Sequence, residues 1–154
     1  FPYTTLFRSR ICDATPSLDH IWLITALLQC EVATLVQDYQ QGSLPKPLSR
    51  ACLEENKWRV RRRGLAAELI DWESEASVSL HDYFDSWMLR LTPVALQLNL
   101  YQGMREKLDA LFIYGASSDI QRGIFKRSEN YQTLVQHLIH ETEDAHFAAA
   151  SYLQ

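Results

Sequence analysis

The first strong pattern in the chain is a run of apolar side chains that recur at steps of three and four residues as far as Tyr39, which is typical of an amphipathic helix. Thr15 can cap this helix and Pro16 can take its first position, because a missing backbone N–H costs nothing there. Gly42 provides a left-handed stop. The repeat comprises Leu18, Ile21, Trp22, Leu28, Val32, Leu35, Val36 and Tyr39, and Leu23, Ile24 and Leu27 widen it. We therefore expect the middle of the helix to be buried on most sides.

A second helix is predicted after an extended linker that Pro45 and Pro47 bracket. Ser49 opens it and Gly64 ends it. Its sequence is much more polar than that of the first helix, and its C-terminal half carries a basic tract, Arg59-Val60-Arg61-Arg62-Arg63.

A short β-hairpin is predicted next, from residues 68–72 and 78–80 around a turn at residues 74–77. Ser79 and Asp82 then resemble a capping box at the start of a third helix. Pro93 should kink or restart that helix, because it removes a backbone donor. The third helix is marked by apolar residues at helical spacing, namely Phe84, Trp87, Met88, Leu91, Ala95 and Leu98.

Three further helices complete the predicted order. One carries Met104 and Leu108 to a stop at Gly115, and a short one follows that Ser117 or Ser118 can cap. The last runs from about residue 130, along the apolar line Leu134, Val135, Leu138, Ile139, Thr142, Ala145, Ala149 and Tyr152. With a strand-like segment at residues 10–13, the prediction is a mainly α-helical chain with one N-terminal strand and a short hairpin.

Composition limits the classes of protein that fit. At 154 residues and 47% hydrophobic, the chain can form one domain with a sizeable core. A net charge of −4 argues against a general nucleic-acid binder, and the longest apolar run, residues 21–28, is short for a bilayer crossing, so neither nucleic acid nor membrane is expected as a partner. The cysteines are Cys12, Cys30 and Cys52. Their odd number and wide spacing favour a reducing, cytoplasmic setting.

Residues 1–9 resemble the translation of a common sequencing adapter. Such segments are excluded from fold prediction, so residues 10–154 are taken as the protein, truncated just before Arg10. The alternative is a genuine short β-strand, because residues 3–7 have reasonable strand propensity.

The basic tract is the main candidate for chemistry, and it has two explanations. Cations near a helix C-terminus stabilise the exposed carbonyls by about 0.3–1 kcal/mol each. Arg59 and Arg62, one turn apart with Asn56 on the same face, can instead form a joint anion site. In the last helix, His137, His140, Glu143, Asp144 and His146 have a spacing that suggests metal. No matching pairs appear on the other helices, so we expect no metal ligands in the chain.

Three motifs in order along the chain resemble the type 2 glutamate-cysteine ligase family, also called carboxylate-amine ligases. They are Arg10-Ile11-Cys12-Asp13 followed by Thr15-Pro16-Ser17, then Asn56-Lys57-Trp58-Arg59 with Arg62, Gly64 and Leu65, then Gly115-Ala116-Ser117-Ser118. Two positions depart from the family pattern: Arg8 stands where the family has a strand Glu, and Arg63 where it often has Tyr. If residues 1–9 are adapter, Arg8 does not belong to the protein, and this explains why the strand Glu is missing.

The resemblance implies a glutamine-synthetase-like α+β parent fold, of which residues 10–154 would be the C-terminal part of one catalytic domain. It also implies ATP and Mg²⁺, bound mainly by an upstream region, and small-molecule substrates joined through an acyl phosphate. Arg10 is then the catalytic candidate, and Arg59, Arg62 and Asn56 are candidates for substrate or phosphate binding. Asp13 would order the strand-to-helix junction and Trp58 would serve packing. A homo-oligomer is compatible with this, and the fragment alone should be inactive.

A different class of function stays open beside the ligase. The chain could be a non-catalytic helical domain that binds a partner or an anionic ligand through the face formed by residues 59–63.

Overall fold

The computed structural model describes residues 15–46, 48–71 and 76–151, with side chains described as far as Glu143. Within those residues the chain forms six α-helices and a two-stranded antiparallel sheet. In chain order they are α1 Leu18–Gln41, α2 Arg50–Arg63, β1 Glu68–Asp71, β2 Ala76–Ser79, α3 Leu80–Gln97, α4 Tyr101–Tyr114, α5 Ser117–Ser128 and α6 Tyr131–Ser151. The predicted mainly helical chain with a short hairpin is confirmed. The predicted N-terminal strand, residues 10–13, lies outside the described residues.

Helix α1 begins two residues later than its sequence suggests. Ser17, in an extended conformation, is the N-cap, and its side chain accepts a hydrogen bond from the His20 N–H. The prediction that Thr15 caps the helix is therefore wrong: the Thr15 hydroxyl accepts from the Ser17 N–H and stabilises the turn before the helix. The stop at Gly42 is confirmed, since this glycine has φ 69° and its N–H reaches the last turn of α1.

The core lies where α1, α3 and α4 pack together. The Cys30 Sγ lies 3.7 Å from the Met104 Sδ, and both residues are fully buried. Burial raises the pKa of the Cys30 thiol, which keeps it protonated. The buried cluster comprises Leu23, Ala26, Leu27, Cys30, Met88, Leu91, Val94, Ala95, Met104 and Leu108. The expectation that α1 is buried on most sides is wrong, because only one of its faces meets this cluster.

Helix α2 stands apart from the core and has no buried residue. It packs against β1 and against a short 3-10 turn, Gly64–Ala66, that joins the two. Ser49 caps it and Gly64 ends it at φ 58°, as predicted. Because its sequence is so polar, this helix is fixed to the rest of the chain mainly by side-chain hydrogen bonds.

The hairpin pairs Glu68 with Ser79 and Asp71 with Ala76. The second strand was predicted at residues 78–80 but runs over Ala76–Ser79, because Leu80 already begins α3. The predicted turn at 74–77 therefore overlaps that strand, and the link between the strands falls on residues 72–75, outside the described residues.

Helix α3 starts as its sequence predicts. Ser79 accepts from the Asp82 N–H at 3.0 Å, and its hydroxyl contacts the Asp82 carboxylate at 2.7 Å. The helix does not restart at Pro93 but continues to Gln97. Leu89, one turn earlier, has a side chain that is 76% exposed, so water can reach the backbone where proline removes a donor.

The caps of the last two helices differ from each other. The predicted cap of α5 by Ser117 or Ser118 is wrong: Ala116 is the N-cap, and the Asp119 carboxylate accepts from its N–H at 3.2 Å. At the start of α6 the Asn130 side chain accepts from the Gln132 N–H at 2.8 Å, which confirms a start near residue 130.

Helix α1 is long and apolar enough to cross a bilayer. The core helices of folded proteins can meet the same two criteria of length and composition. One face of α1 forms the centre of the core.

Candidate functional site

Asn56 fastens α2 to the hairpin. Its amide nitrogen donates to the Ile70 carbonyl at 3.0 Å, and its amide oxygen accepts from the Ile70 N–H at 2.9 Å. The side chain thus matches both backbone groups of one residue, as a neighbouring strand would. Both polar atoms of Asn56 are used inside the chain.

Arg59, one turn later, is shared between two partners. Its Nε donates to the Glu55 carboxylate at 2.8 Å, and one terminal nitrogen donates to the Glu68 carbonyl at 3.3 Å. The ion pair has the Glu-before-Arg spacing that favours a helix. The Arg59 side chain is only 26% exposed, so part of its guanidinium is screened from solvent.

The groups that Asn56 and Arg59 contact belong to the same edge of β1. In an antiparallel pair alternate residues direct their backbone groups toward or away from the partner strand, and residues 68 and 70 face away from β2. An uncovered edge can pair with another chain. These two side chains of α2 therefore close the outer edge of the hairpin.

Arg62 is held differently. Its guanidinium carbon lies 5.6 Å from the centroid of the Trp58 ring, in a cation–π contact one turn apart. No hydrogen bond or ion pair to Arg62 is present within the described part of the chain. Trp58 was predicted to serve packing, but its side chain is 55% exposed and contacts this arginine instead of the core. A cation–π contact uses none of the N–H donors of the guanidinium, so these donors are available for an anion.

The structure thus brings Asn56, Arg59 and Arg62 to one face of α2, as their spacing predicts, and gives them different environments. Arg61 and Arg63 are exposed at the helix end, where cations stabilise the last carbonyls. Arg10 lies outside the described residues, as does Asp13. Sequence reasoning missed Glu55, although its four-residue spacing to Arg59 was a usable signal.

A second charged cluster links α1 to α3. One terminal nitrogen of Arg90 contacts both Glu31 oxygens at 2.8 Å, and the other contacts Asp38 at 3.0 Å. The Trp87 Nε1 donates to Glu31 at 2.7 Å. The hydrogen bond that Arg90 donates to Glu31 is the largest cause that raises the pKa of Arg90, and the bond to Asp38 acts in the same direction. Glu31 binds both Trp87 and Arg90, and Arg90 also binds Asp38, so these contacts form a structural clamp between α1 and α3.

A third cluster joins α3 and α4. Arg105 binds Asp85 and also Asp109, and the hydrogen bond from Arg105 lowers the pKa of Asp85. His81 lies 3.3 Å from Asp85 and packs edge-on against Phe112, with ring centroids 4.8 Å apart. This cluster, too, consists of side chains that bind one another.

Metal-binding chemistry is limited in the described residues. No group of three His, Cys, Asp or Glu side chains comes together there. His140 lies 3.9 Å from Glu143, while the side chains of Asp144 and His146 lie outside the described set.

Comparison with known proteins identifies a family. A sequence model described as glutamate-cysteine ligase family 2 matches residues 6–137. This match starts inside the segment predicted to be adapter. No solved structure matches the chain.

Three bacterial relatives are named "Putative glutamate--cysteine ligase 2" or "Putative glutamate--cysteine ligase 2-1". The protein of Rubrobacter xylanophilus is 36% identical over 88% of this chain and 35% of its own length. That of Frankia alni is 33% identical over 82% of this chain and 33% of its own length. That of Solibacter usitatus is 29% identical over 97% of this chain and 38% of its own length. The chain thus spans little more than a third of the length of the curated relatives it matches.

Proposed function

The chain belongs to glutamate-cysteine ligase family 2, and from that premise we propose that it is part of an ATP-dependent enzyme that joins a carboxylate to an amine. The match over residues 6–137 is the observation that carries the proposal. The names of these relatives favour glutamate as the carboxylate and cysteine as the amine.

The proposed reaction has two steps. A carboxylate oxygen attacks the γ-phosphorus of ATP, the bond to the bridging oxygen breaks, and ADP leaves an acyl phosphate behind. The amine nitrogen then attacks the acyl carbon, the carbon–oxygen bond to phosphate breaks, and the nitrogen loses a proton to give the amide. Negative charge builds on the phosphoryl oxygens in the first step and on the carbonyl oxygen in the second. A fixed guanidinium beside these oxygens would stabilise both.

Arg62 is the proposed anion contact on α2. Its guanidinium lies over the Trp58 ring, and the lack of a described hydrogen-bond partner supports N–H donors that can bind an anion. Arg59 would share in this contact, since its second terminal nitrogen has no described partner. The two amide hydrogen bonds of Asn56 favour a positioning role for that residue. Arg10 stays the proposed catalytic residue.

Magnesium, when bound, would neutralise charge on the triphosphate. The described carboxylates are spread over separate clusters and do not fit such an ion, so we place its ligands in the part of the family polypeptide that this chain does not span. The 154-residue chain alone should therefore be inactive. We further propose a cytoplasmic protein with small-molecule substrates, without nucleic-acid or membrane partners and compatible with a homo-oligomer.

A second candidate function rests on one observation. Arg61, Arg62 and Arg63 are exposed on a helix with no buried residue, an arrangement that also suits a non-catalytic domain binding an anionic ligand. That domain would bind its ligand without the rest of the polypeptide and without ATP turnover.

The test uses the longer reading frame that contains this chain. The purified protein is assayed for ADP formation with ATP, Mg²⁺, glutamate and cysteine, beside Arg62→Lys and Arg61→Lys. Arg62→Lys keeps the charge but loses the planar fork, so we expect kcat/KM to fall about tenfold or more. Arg61→Lys is the matched control and should stay within about twofold of the parent.

One result would overturn the proposed activity, and another would overturn the role of Arg62. ADP formation that does not depend on a carboxylate and an amine would contradict the proposed ligase activity. Equal kinetics for the two variants would remove Arg62 from the site while leaving the activity intact.

A further inference from the structure

Helix α1 has two apolar faces, and among the described residues only one of them is buried in the core. Its core face carries Leu23, Ala26, Leu27, Cys30 and Thr34, all buried. At roughly 100° per residue, a second set of side chains falls on the opposite side of the helix. This set, the outer stripe, consists of Leu18, Ile21, Thr25, Leu28, Val32, Leu35, Val36 and Tyr39. It runs from the first turn of α1 to the last and contains no charged residue.

Six of the eight residues of the outer stripe are exposed to solvent, and the other two, Leu28 and Leu35, are half-buried. Leu18, Ile21 and Val32 are each more than 40% exposed, and Tyr39 reaches 73%. The Thr25 hydroxyl in the middle of the stripe donates to the Ile21 carbonyl at 2.7 Å and needs no partner outside the helix. A continuous apolar surface of this length is more than a folded monomer normally leaves in water.

The relatives show how much polypeptide could cover it. The chain spans 38% of the Solibacter usitatus protein and 35% of the Rubrobacter xylanophilus protein. We propose that the outer stripe of α1 is the surface on which the rest of the family polypeptide packs, through an apolar face without charges. The proposal rests on membership of the family and stands whether or not the proposed reaction is right.

A lipid surface fits the outer stripe poorly. Helices that lie in a membrane surface carry Lys and Arg beside the apolar face, whereas α1 has neither and instead carries Asp19, Glu31 and Asp38. A bilayer crossing would also withdraw Glu31 and Asp38 from Arg90 and remove the core face from α3 and α4.

A second copy of the chain fits less well than the missing polypeptide. Large apolar side chains are exposed on other helices as well, including Leu89 and Leu96 on α3 and Ile113 and Tyr114 on α4. A two-fold contact through α1 would bury the outer stripe alone. The part of these relatives outside the match is more than one and a half times as long as this chain and can cover several faces at once.

The test measures whether position 32 is accessible. Val32→Cys is made in a Cys12→Ser, Cys52→Ser background of the 154-residue chain, which leaves only the buried Cys30 beside it. The same cysteine is placed at the aligned position of the full-length Rubrobacter xylanophilus protein, with its other reactive cysteines replaced. Both are treated with a maleimide dye, folded and in denaturant. Gln41→Cys, exposed and on the opposite side of α1, is the matched control, and Val36→Cys repeats the measurement on the outer stripe.

The expected result is rapid labelling of position 32 in this chain and labelling slower by about tenfold or more in the folded full-length relative, with position 41 labelled equally in both. Equal labelling of position 32 in the two proteins would overturn the proposal. So would protection that already appears in this chain and grows with its concentration, which would assign the outer stripe to a second copy. Protection of this chain by phosphatidylcholine–phosphatidylglycerol vesicles would assign it to lipid.

Discussion

Replacing Asn56 by alanine should release α2 from the hairpin. The change removes two hydrogen bonds, at 3.0 and 2.9 Å, and leaves both backbone groups of Ile70 without their partner. At about 1 kcal/mol for each bond, the free energy that holds α2 against β1 should fall by about 2 kcal/mol. Since α2 buries no residue, little apolar contact remains to compensate.

Amide hydrogen exchange measures this loss directly. About 2 kcal/mol corresponds to roughly 30-fold faster exchange through local opening, so the amides of β1 and α2 should lose that much protection. The core amides of α1 and α4 should not change. Lys57→Ala is the matched control, because its only described partner is Glu54 in an exposed pair worth about 0–1 kcal/mol.

Asn56→Asp separates the two hydrogen bonds. The carboxylate can still accept from the Ile70 N–H, but it cannot donate to the Ile70 carbonyl and faces it with negative charge. We expect exchange at least as fast as in the alanine variant for the helix amides. Unchanged protection in both variants would refute the positioning role of Asn56 and return it to the set of substrate contacts.

Three further outcomes are expected of the 154-residue chain. Gly103→Ala should be less stable in urea unfolding than Gly123→Ala by about 1–3 kcal/mol, since both gain helix propensity but a Cβ at Gly103 would lie 2.7 Å from the Trp22 ring and one at Gly123 meets nothing within 4 Å. Lowering the pH from about 5 to about 2 should reduce the melting temperature more in the parent than in Arg105→Gln, because Arg105 holds the pKa of Asp85 below its ordinary value of 3.8. The purified chain should bind a hydrophobic dye, with fluorescence that rises before any loss of helical circular dichroism, because the outer stripe is exposed.

Each outcome has a result that contradicts it. Equal stability of the two glycine variants would mean that the Trp22 ring moves aside freely. The sign of the pH effect follows from linkage: a lowered pKa gives stability that is complete above the unfolded pKa and is lost as the pH falls through the folded one. Parallel melting curves for the parent and Arg105→Gln would show that the pair contributes nothing. A chain that melts sharply and binds no dye would contradict the exposed outer stripe.

Local signals in the sequence predicted the helices well. Gly42 and Gly64 end α1 and α2 because each adopts a positive φ that other residues avoid, and Ser79 caps α3 because its hydroxyl reaches the Asp82 N–H. The predicted cap of α1 was wrong because a second acceptor lies two residues after Thr15. Thr15 and Ser17 can both accept a backbone hydrogen bond, and the chain path before the helix, which the pattern does not specify, decides between them.

The candidate site was predicted only in part for a similar reason. Spacing placed Asn56, Arg59 and Arg62 on one face of α2, since that depends on the helix repeat alone. What each side chain contacts depends on where the hairpin lies, and the partners Glu68 and Ile70 come from outside the helix. No sequence pattern predicted the clamp around Arg90, because its partners Glu31 and Asp38 are more than fifty residues away in sequence.

By itself the sequence determined the order and type of the elements, the polar character of α2, and membership of glutamate-cysteine ligase family 2, because all of these depend on residues close together in the chain or on their linear order. Only the tertiary structure decided which apolar face of α1 enters the core. Both faces satisfy the same helical repeat, and the choice depends on the packing of α3 and α4 around Cys30 and Met104. The face that was not chosen is the outer stripe, which stays mostly exposed to solvent.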